Sequence, residues 1–242
     1  MRTHILSLDD SASRVKDFIS SSNGRYVCVS NVHMCMEAFD DSHFREIVNS
    51  ADLTIPDGMP LTWAQKLLGH KEAKQVRGYD LTLALCQMAA KENIPVGFFG
   101  ATPELLRTLG SALCDKYPGL NIAYSVSPPF RKITAEEDQQ HTADINASGV
   151  KILFVGLGCP KQEWWMAEHR EALHCTMLGV GAAFDFIAGN KKKAPLWLQK
   201  IGLEWLFRLA TEPKRLWKRY LKHNPRFIYY LILQLLGKKH AP

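Results

Sequence analysis

The sequence predicts an α/β fold with a doubly wound, mostly parallel sheet, followed by a basic, amphipathic helical appendage. Six short apolar segments recur along the first 180 residues. Helix-like spacers separate these segments, as βαβ units require. After Gly189 the composition becomes basic and aromatic. With 242 residues, 46% of them hydrophobic, the chain is long enough to bury the core of such a sheet.

The six apolar segments are the candidate strands. They are Tyr26–Val29, Leu53–Ile55, Val96–Phe99, Ile122–Val126, Ile152–Val155 and Thr176–Val180. The spacers Asp80–Asn93 and Thr102–Tyr117 repeat apolar residues at three- and four-residue steps, which predicts helices. In the second spacer Thr102 suits the helix cap, Pro103 the first helical position, and Glu104 the positive end of the helix dipole.

The chain is predicted to divide into a sheet domain at residues 1–190 and the appendage at residues 191–242. The appendage holds 13 of the 30 Lys and Arg residues but two of the 24 acidic residues, which gives it a net charge of +11. Its pattern predicts two or three amphipathic helices that break near Pro213 and Pro225. One apolar face is predicted at four-residue steps: Trp197, Ile201, Trp205 and Leu209.

A basic, aromatic segment of this kind suits an anionic surface. An amphipathic helix can lie in a membrane interface with its cations on anionic lipid. The predicted cationic cluster comprises Lys214, Arg215, Lys218, Arg219 and Lys222. Three alternatives stay open: a helical layer packed on the sheet, contact with a second subunit, or a non-enzymatic module whose cations and rings bind nucleic acid. No apolar run reaches the roughly 20 residues that a membrane span needs.

The ends of the chain and its cysteines predict a cytoplasmic protein. The opening residues MRTHILSLDD reach acidic side chains after a few apolar ones, so they do not form a signal peptide. Six cysteines are dispersed without a C-x-x-C pair, and several lie in apolar stretches. Free thiols of this kind are typical of a reducing compartment.

A polar residue follows the second candidate strand. Pro56 ends the strand, and Gly58 allows the backbone to turn toward a helix that begins near Pro60. Asp57 therefore lies where a strand gives way to a helix, which is where ligands of open α/β sheets bind. On position alone, an aspartate that only stabilises the turn or caps the helix remains the alternative.

Glycines at three further strand ends suggest contacts with a phosphorylated ligand. Gly100 and Gly158 follow candidate strands and permit close approach of the backbone to a diphosphate. Lys161 stands where a dinucleotide fingerprint needs its third glycine, which disfavours a hydride-transferring dehydrogenase. Asp185 follows another Gly-x-Gly, and a structural role is its alternative.

The sequence predicts no metal ion and no cofactor. It contains no H-E-x-x-H, no paired cysteine motif and no D-x-D, which commonly holds a divalent ion on a nucleotide diphosphate. The charge of a diphosphate would then be met by Arg77, Lys161 and the cations of the appendage. His33 is interpreted as a packed or hydrogen-bonded histidine.

Several separate segments together resemble one family. They are N-V-H-M at 31–34, IPDGMPLTWAQKLLG at 55–69, RGYDL at 77–81, GCPKQEWW at 158–165, GVGAAFDFIAG at 179–189 and KAPLWLQKIGLEWLFRLATEPKRLWKRYL at 193–221. By these motifs the chain resembles the WecG/TagA/CpsF glycosyltransferases, family 26, over nearly its whole length. The resemblance implies a Rossmann-like sheet of the GT-E type. It also implies inverting, metal-independent transfer from a UDP-sugar to a polyprenyl-diphosphate-linked saccharide on the cytoplasmic face of a membrane.

The resemblance also implies roles for individual residues. Asp57 matches the family's general base, which takes the proton of the acceptor hydroxyl as that oxygen attacks the anomeric carbon. Asn31 matches an asparagine that can hydrogen-bond a sugar. Val29 stands where family members usually have threonine, and Ser30 is the candidate substitute. The further candidates for substrate binding are Arg77, Gln162 and Glu163 near the donor, and Arg215 and Arg219 at the diphosphate.

The donor sugar is less closely defined by the sequence. The run N-V-H-M-C-M-E-A resembles members that act in exopolysaccharide synthesis, which favours a hexose such as glucose. N-acetylmannosamine, its uronic acid, another nucleotide sugar and a free, soluble acceptor all stay open.

Overall fold

A computed structural model describes residues 1–20 and 23–237. Its strands are β1 (Arg25–Ser30), β2 (Leu53–Pro56), β3 (Val96–Gly100), β4 (Ile122–Val126), β5 (Ile152–Gly156) and β6 (Thr176–Gly179). They form one sheet in the order β2-β1-β6-β5-β3-β4, and every pair is parallel. Each strand coincides with one of the predicted apolar segments, so the α/β prediction is confirmed.

Helices cover both faces of this sheet, as a doubly wound fold requires. In chain order they are α1 (Leu8–Ile19), α2 (Val32–Asp40), α3 (Ser42–Ser50), α4 (Met59–Leu67), α5 (Gly78–Glu92), α6 (Pro103–Lys116), α7 (Ala135–Ala147), α8 (Lys161–Glu168) and α9 (Ala183–Ile187). Side chains of α1, α5, α6 and α9 join the core on one face of the sheet. Those of α2, α3, α7 and α8 join the core on the other.

Alternate residues of the central strands fill the two cores. Val27 and Leu178 enter one core, while Cys28 and Met177 enter the other, and all four are fully buried. Because both faces of the sheet are covered, its strands are continuous apolar runs rather than alternating ones. This explains why short apolar segments were sufficient to locate them.

The parallel arrangement brings the carboxyl ends of all six strands to one edge of the sheet. Gly100, which ends β3, has a φ of +119°, and a Cβ there would lie 2.6 Å from the carbonyl carbon of Gly156 at the end of β5. A glycine is therefore required for these two strand ends to approach so closely. The first turns beyond β1 and β2 supply polar residues at the same edge.

The C-terminal segment is helical and packs on the sheet domain. It forms α10 (Leu196–Lys200), α11 (Glu204–Thr211) and α12 (Pro213–Leu235). α12 lies along α2. The turn between α10 and α11 fits against α4, because a Cβ at Gly202 would meet the Trp63 ring at 2.3 Å. The predicted break near Pro213 is confirmed, since α11 ends at Thr211. Residues 238–242 of the predicted appendage lie outside the described residues.

Two expectations about this segment were wrong. Pro225 does not end a helix: α12 continues through it, because buried Leu216 and Phe227 hold the helix on either side and Arg226 pairs with Asp40. The predicted apolar face over Trp197, Ile201, Trp205 and Leu209 does not belong to one helix. Gly202, at a φ of +73°, separates α10 from α11 within it.

The outward side of the C-terminal helices carries exposed apolar side chains. We call this set the outer apolar surface: Leu196, Trp197, Ile201, Leu206, Trp217, Leu221, Ile228, Tyr229, Ile232, Leu235 and Leu236. Among the helices of the described part of the chain, none combines the length and the apolar character needed to cross a membrane.

Candidate active site

Asp57 lies directly after β2 and is fixed by backbone groups. The N–H of Gly78, at the start of α5, donates to its Oδ1 at 2.8 Å. The backbone N–H of Asp57 donates to the Ser30 carbonyl at 2.8 Å, which joins the loop after β2 to the end of β1. The carboxylate is therefore positioned by three separate segments of the sheet domain.

Its surroundings raise the pKa of Asp57 from 3.8 to about 6. Burial is the largest cause, and the Gly78 N–H opposes it; the Glu204 carboxylate raises the pKa further, while Arg208 and Arg77 lower it. A carboxylate with this pKa is largely ionised at neutral pH and more basic than an ordinary aspartate. Both properties suit a general base.

Asp57 opens onto a narrow cleft between the strand ends and the C-terminal helices. The cleft holds about 90 Å³. The sheet domain contributes Asn31 and Gln75 beside Asp57, and α11 and α12 contribute Glu204, Arg208 and Arg219. The site thus combines one basic carboxylate with side chains from two regions that are far apart in the sequence.

Asn31 is adjacent to Asp57 and also caps α2. Its side-chain oxygen accepts from the Met34 N–H at 3.2 Å, so its amide N–H groups are the ones it can offer to a ligand. A Cβ at Gly58 would lie 3.6 Å from the Asn31 Cβ, and the two loops are therefore in close contact. This arrangement brings together the two residues that were predicted to be catalytic.

Arg77 is held beside the cleft by a carboxylate of the C-terminal segment. Its Nε lies 3.3 Å from Glu204 Oε2, and its Nη1 lies 3.5 Å from Asp80 Oδ2. Glu204 lines the cleft and raises the pKa of Asp57. Arg77 therefore contacts the site through an ion pair that joins α11 to the start of α5.

Arg208 and Arg219 supply further cationic groups. The Nε of each is buried and lacks a hydrogen-bond partner among the described residues. Such donors are satisfied well by anionic oxygens. His33 packs edge-on against His223, with ring centroids 5.0 Å apart. Burial, followed by the charge of Arg219, lowers the pKa of His33 to about 4, so this imidazole is neutral at pH 7.

Three side chains beside the cleft could ligate a metal ion. Ligand atoms of His33, Glu37 and His223 all lie within 4.8 Å of one another. Lys222 Nζ already lies 3.9 Å from Glu37 Oε1, and Arg219 lowers the pKa of His33 electrostatically. These cations oppose a divalent ion at this position.

Gln162 and Glu163, which were predicted to bind the donor, form a second, buried cluster with Gly158. The Gly158 N–H donates to Gln162 Oε1 at 3.1 Å, and Gln162 Nε2 donates to Glu163 Oε1 at 2.7 Å. Burial raises the pKa of Glu163 to about 7. Gly100 lies against the end of β5, and Lys161 is exposed at the start of α8. The contacts of this cluster order the loop after β5.

Ser30, Asp185 and Arg215 point to partners outside the cleft. Ser30 is fully buried, and its hydroxyl lies 3.0 Å from Met34 Sδ. Lys191 Nζ lies 3.0 Å from Asp185 and 3.3 Å from Glu212, which in turn pairs with Arg215 at 2.6 Å. Asp185 and Arg215 are thus the two ends of one chain of ion pairs along the C-terminal segment.

The structure therefore brings together Asn31, Asp57 and Arg219, with Arg77 beside them. Sequence reasoning did not select Glu204 or Arg208 for the site. One signal could have found Glu204, since it is one of two acidic residues in a strongly basic segment. Arg208 follows it by four residues and so lies on the same side of α11.

An open parallel sheet with a basic carboxylate at its carboxyl edge, faced by guanidinium donors from packed helices, is the arrangement of an enzyme active site. The Glycosyl transferase WecG/TagA/CpsF family matches residues 1–241. The chain belongs to this family and is a glycosyltransferase. It is similar to a protein of Bacillus spizizenii named N-acetylglucosaminyldiphosphoundecaprenol N-acetyl-beta-D-mannosaminyltransferase. The two are 31% identical over 213 residues, which cover 87% of this chain and 80% of the relative.

Proposed function

We propose that the protein is an inverting, metal-independent glycosyltransferase. It transfers a sugar from a UDP-sugar to a polyprenyl-diphosphate-linked saccharide during synthesis of a cell-surface or exported polysaccharide. The name of the relative favours N-acetylmannosamine over glucose as the sugar, and undecaprenyl-diphosphate-linked N-acetylglucosamine as the acceptor. The observation that carries this proposal is the Asp57 carboxylate, which has a raised pKa and faces a cleft lined by arginines.

The reaction needs one base and compensation for the charge of the leaving group. The acceptor hydroxyl oxygen forms a bond to the anomeric carbon while the bond from that carbon to the UDP oxygen breaks on the opposite face. Asp57 takes the hydroxyl proton, and the configuration at the anomeric carbon inverts. Arg208 and Arg219, with Arg77 once it is released from Glu204, offset the charge that develops on UDP. Asn31 orients a sugar hydroxyl through its amide N–H groups.

The C-terminal helices must move outward to admit the donor. The cleft holds about 90 Å³, whereas pockets for small-molecule ligands hold roughly 300–1,000 Å³. The ion pair between Arg77 and Glu204 is the contact that α11 must give up. The incoming diphosphate can replace the Glu204 carboxylate on Arg77, because both are anionic acceptors of guanidinium hydrogen bonds.

We also propose that residues 191–242 form a separate unit that docks the enzyme on the inner face of the cell membrane. The outer apolar surface would enter the headgroup boundary, and nearby cations would contact anionic lipid. Binding to anionic vesicles that weakens with salt, without binding to single-stranded oligonucleotides, is the expected result. The reverse preference would favour a nucleic-acid-binding module, and a stable oligomer without vesicle binding would assign the surface to a second copy.

A transfer assay tests the proposed reaction. A panel of UDP-sugars is offered with polyprenyl-diphosphate-linked N-acetylglucosamine, with chelator present and Asp57→Asn as the paired variant. We expect product from UDP-N-acetylmannosamine that is lost in the variant and insensitive to the chelator. Product from UDP-glucose alone would identify glucose as the transferred sugar. Transfer that is sensitive to the chelator would contradict the metal-independent mechanism.

A further inference from the structure

A second, larger groove lies beside the cleft, between α2, α4 and α12. It holds about 730 Å³, compared with about 90 Å³ for the cleft. Its walls are mainly apolar and include Met36, Phe39, Leu61, Ala64, Phe227 and Leu231. This volume falls within the usual range for a small-molecule site. The groove is therefore large enough to bind a ligand and is lined for an apolar one.

The groove and the cleft lie along the same two helices. α2 contributes His33 to the cleft and Met36 to the groove, while α12 contributes His223 to the cleft and Phe227 to the groove. A helix rises about 1.5 Å per residue, so the groove begins roughly 6 Å beyond the cleft along α12. The two cavities are therefore close enough for one extended molecule to reach from one to the other.

Cations follow the cleft along α12, on a flank of the helix that faces α2, where Lys222 and Arg226 line neither cavity. Arg219 lines the cleft, and Lys222 and Arg226 follow it at the next two turns of α12. Lys222 and Arg226 contact Glu37 and Asp40 of α2, so part of their charge is compensated, whereas the Arg219 Nε lacks a partner among the described residues. Along α12, the polar cleft is thus followed by the apolar groove, and cations lie on the flank of the helix beside both.

We propose that this groove binds the first isoprene units of the acceptor's polyprenyl chain. The inference rests on the proposed function, because a sugar, a diphosphate and an apolar chain follow one another in such an acceptor. The diphosphate would lie on the flank of α12 beside Lys222, one turn beyond Arg219, and place the sugar toward Asp57. The outer apolar surface lies on the exposed side of the same helix and includes Ile228, Tyr229 and Ile232. The rest of the polyprenyl chain can therefore remain in the bilayer.

The dependence of KM on chain length is the first test. Acceptors with increasing numbers of isoprene units, all short enough to dissolve in water, are assayed without detergent or vesicles. We expect KM for the acceptor to fall at least about tenfold for each unit that enters the groove and then to become constant, since every buried CH₂ favours binding. A KM that is independent of chain length would overturn the proposal.

A matched pair of substitutions tests the location. Leu231→Trp places a ring in the groove, where the free volume can accept it, and Leu67→Trp makes the same change at an exposed position of α4. Thermal unfolding confirms that both variants are folded. We expect Leu231→Trp to raise KM for long-chain acceptors at least tenfold, while KM for the shortest acceptor and for the donor stays unchanged. Equal effects of both variants on KM would mean that the polyprenyl chain binds outside this groove.

A binding measurement separates this inference from the proposed reaction. Farnesyl diphosphate is titrated into wild-type protein and Leu231→Trp by calorimetry, without any donor. Weaker binding to the variant supports the groove even if every UDP-sugar fails as a donor. Transfer to acceptors with no dependence on chain length would retain the reaction and refute the groove. Unchanged farnesyl diphosphate binding, together with a lower sedimentation mass for the variant, would assign the groove to a second copy of the chain.

Discussion

The two sides of the cleft are built in different ways. On the sheet side, Asp57 and Asn31 follow buried strands, and their side-chain oxygens accept from the backbone N–H groups of Gly78 and Met34. On the opposite side, α11 and α12 present Glu204 and arginines from helices that contact the domain through ion pairs and a small apolar cluster. The difference teaches that the proposed base is held by the sheet itself, whereas the proposed charge compensation depends on how the C-terminal helices dock.

Replacement of the base gives the largest expected effect and tests the sheet side alone. Asp57→Asn should lower turnover by about 100-fold or more, the scale for losing a general base. UDP binding should persist, because the arginines remain in place. Turnover and calorimetric UDP binding are measured beside Asp115→Asn, an exposed change on α6. Normal turnover of Asp57→Asn would remove this residue from the proposed role.

The pH profile is expected to show the raised pKa of the same carboxylate. Because Asp57 acts in its ionised form, kcat/KM should fall about tenfold per pH unit below the pKa of about 6 and level off above it. A pKa raised by folding means that the ionised form is disfavoured in the native state. The free energy of unfolding of Asp57→Asn should therefore rise by about 1–3 kcal/mol relative to that of wild type as pH rises from about 4 to 6. Denaturant unfolding at several pH values measures this gain; a constant difference would contradict it.

Membrane docking tests the side formed by the C-terminal helices. Trp217→Ala removes an exposed ring from the outer apolar surface and should weaken binding to anionic vesicles about tenfold. Phe130→Ala removes a still more exposed ring from the sheet domain and serves as the control. Cosedimentation with vesicles at several salt concentrations compares them. Equal losses of vesicle binding in the two variants would mean that the outer apolar surface does not dock the protein on the membrane.

The same contrast explains how far the sequence predicts the structure. The six strands and the position of Asp57 could be predicted, because apolar runs buried on both faces are local signals and parallel strands bring their carboxyl ends to one edge. The pairing of Arg77 with Glu204 could not be predicted, since it joins residues 127 positions apart and depends on how α11 docks. The prediction of a helix break near Pro225 was wrong for a related reason, because packing against α2 maintains a helix that local propensity would end.

Breaking the ion pair that closes the cleft should have the smallest effect and the most specific one. Glu204→Gln frees Arg77 and removes a negative charge that raises the pKa of Asp57, so the acid limb of kcat/KM should move to lower pH. UDP should bind about threefold more tightly, because the variant no longer opposes opening of α11. Glu212 is the other acidic residue of the C-terminal segment and pairs with Lys191 and Arg215. Glu212→Gln should therefore leave the acid limb unchanged. If Glu204→Gln weakens UDP binding instead, the Glu204 carboxylate orients Arg77 for the donor, and α11 already lies where donor binding requires it.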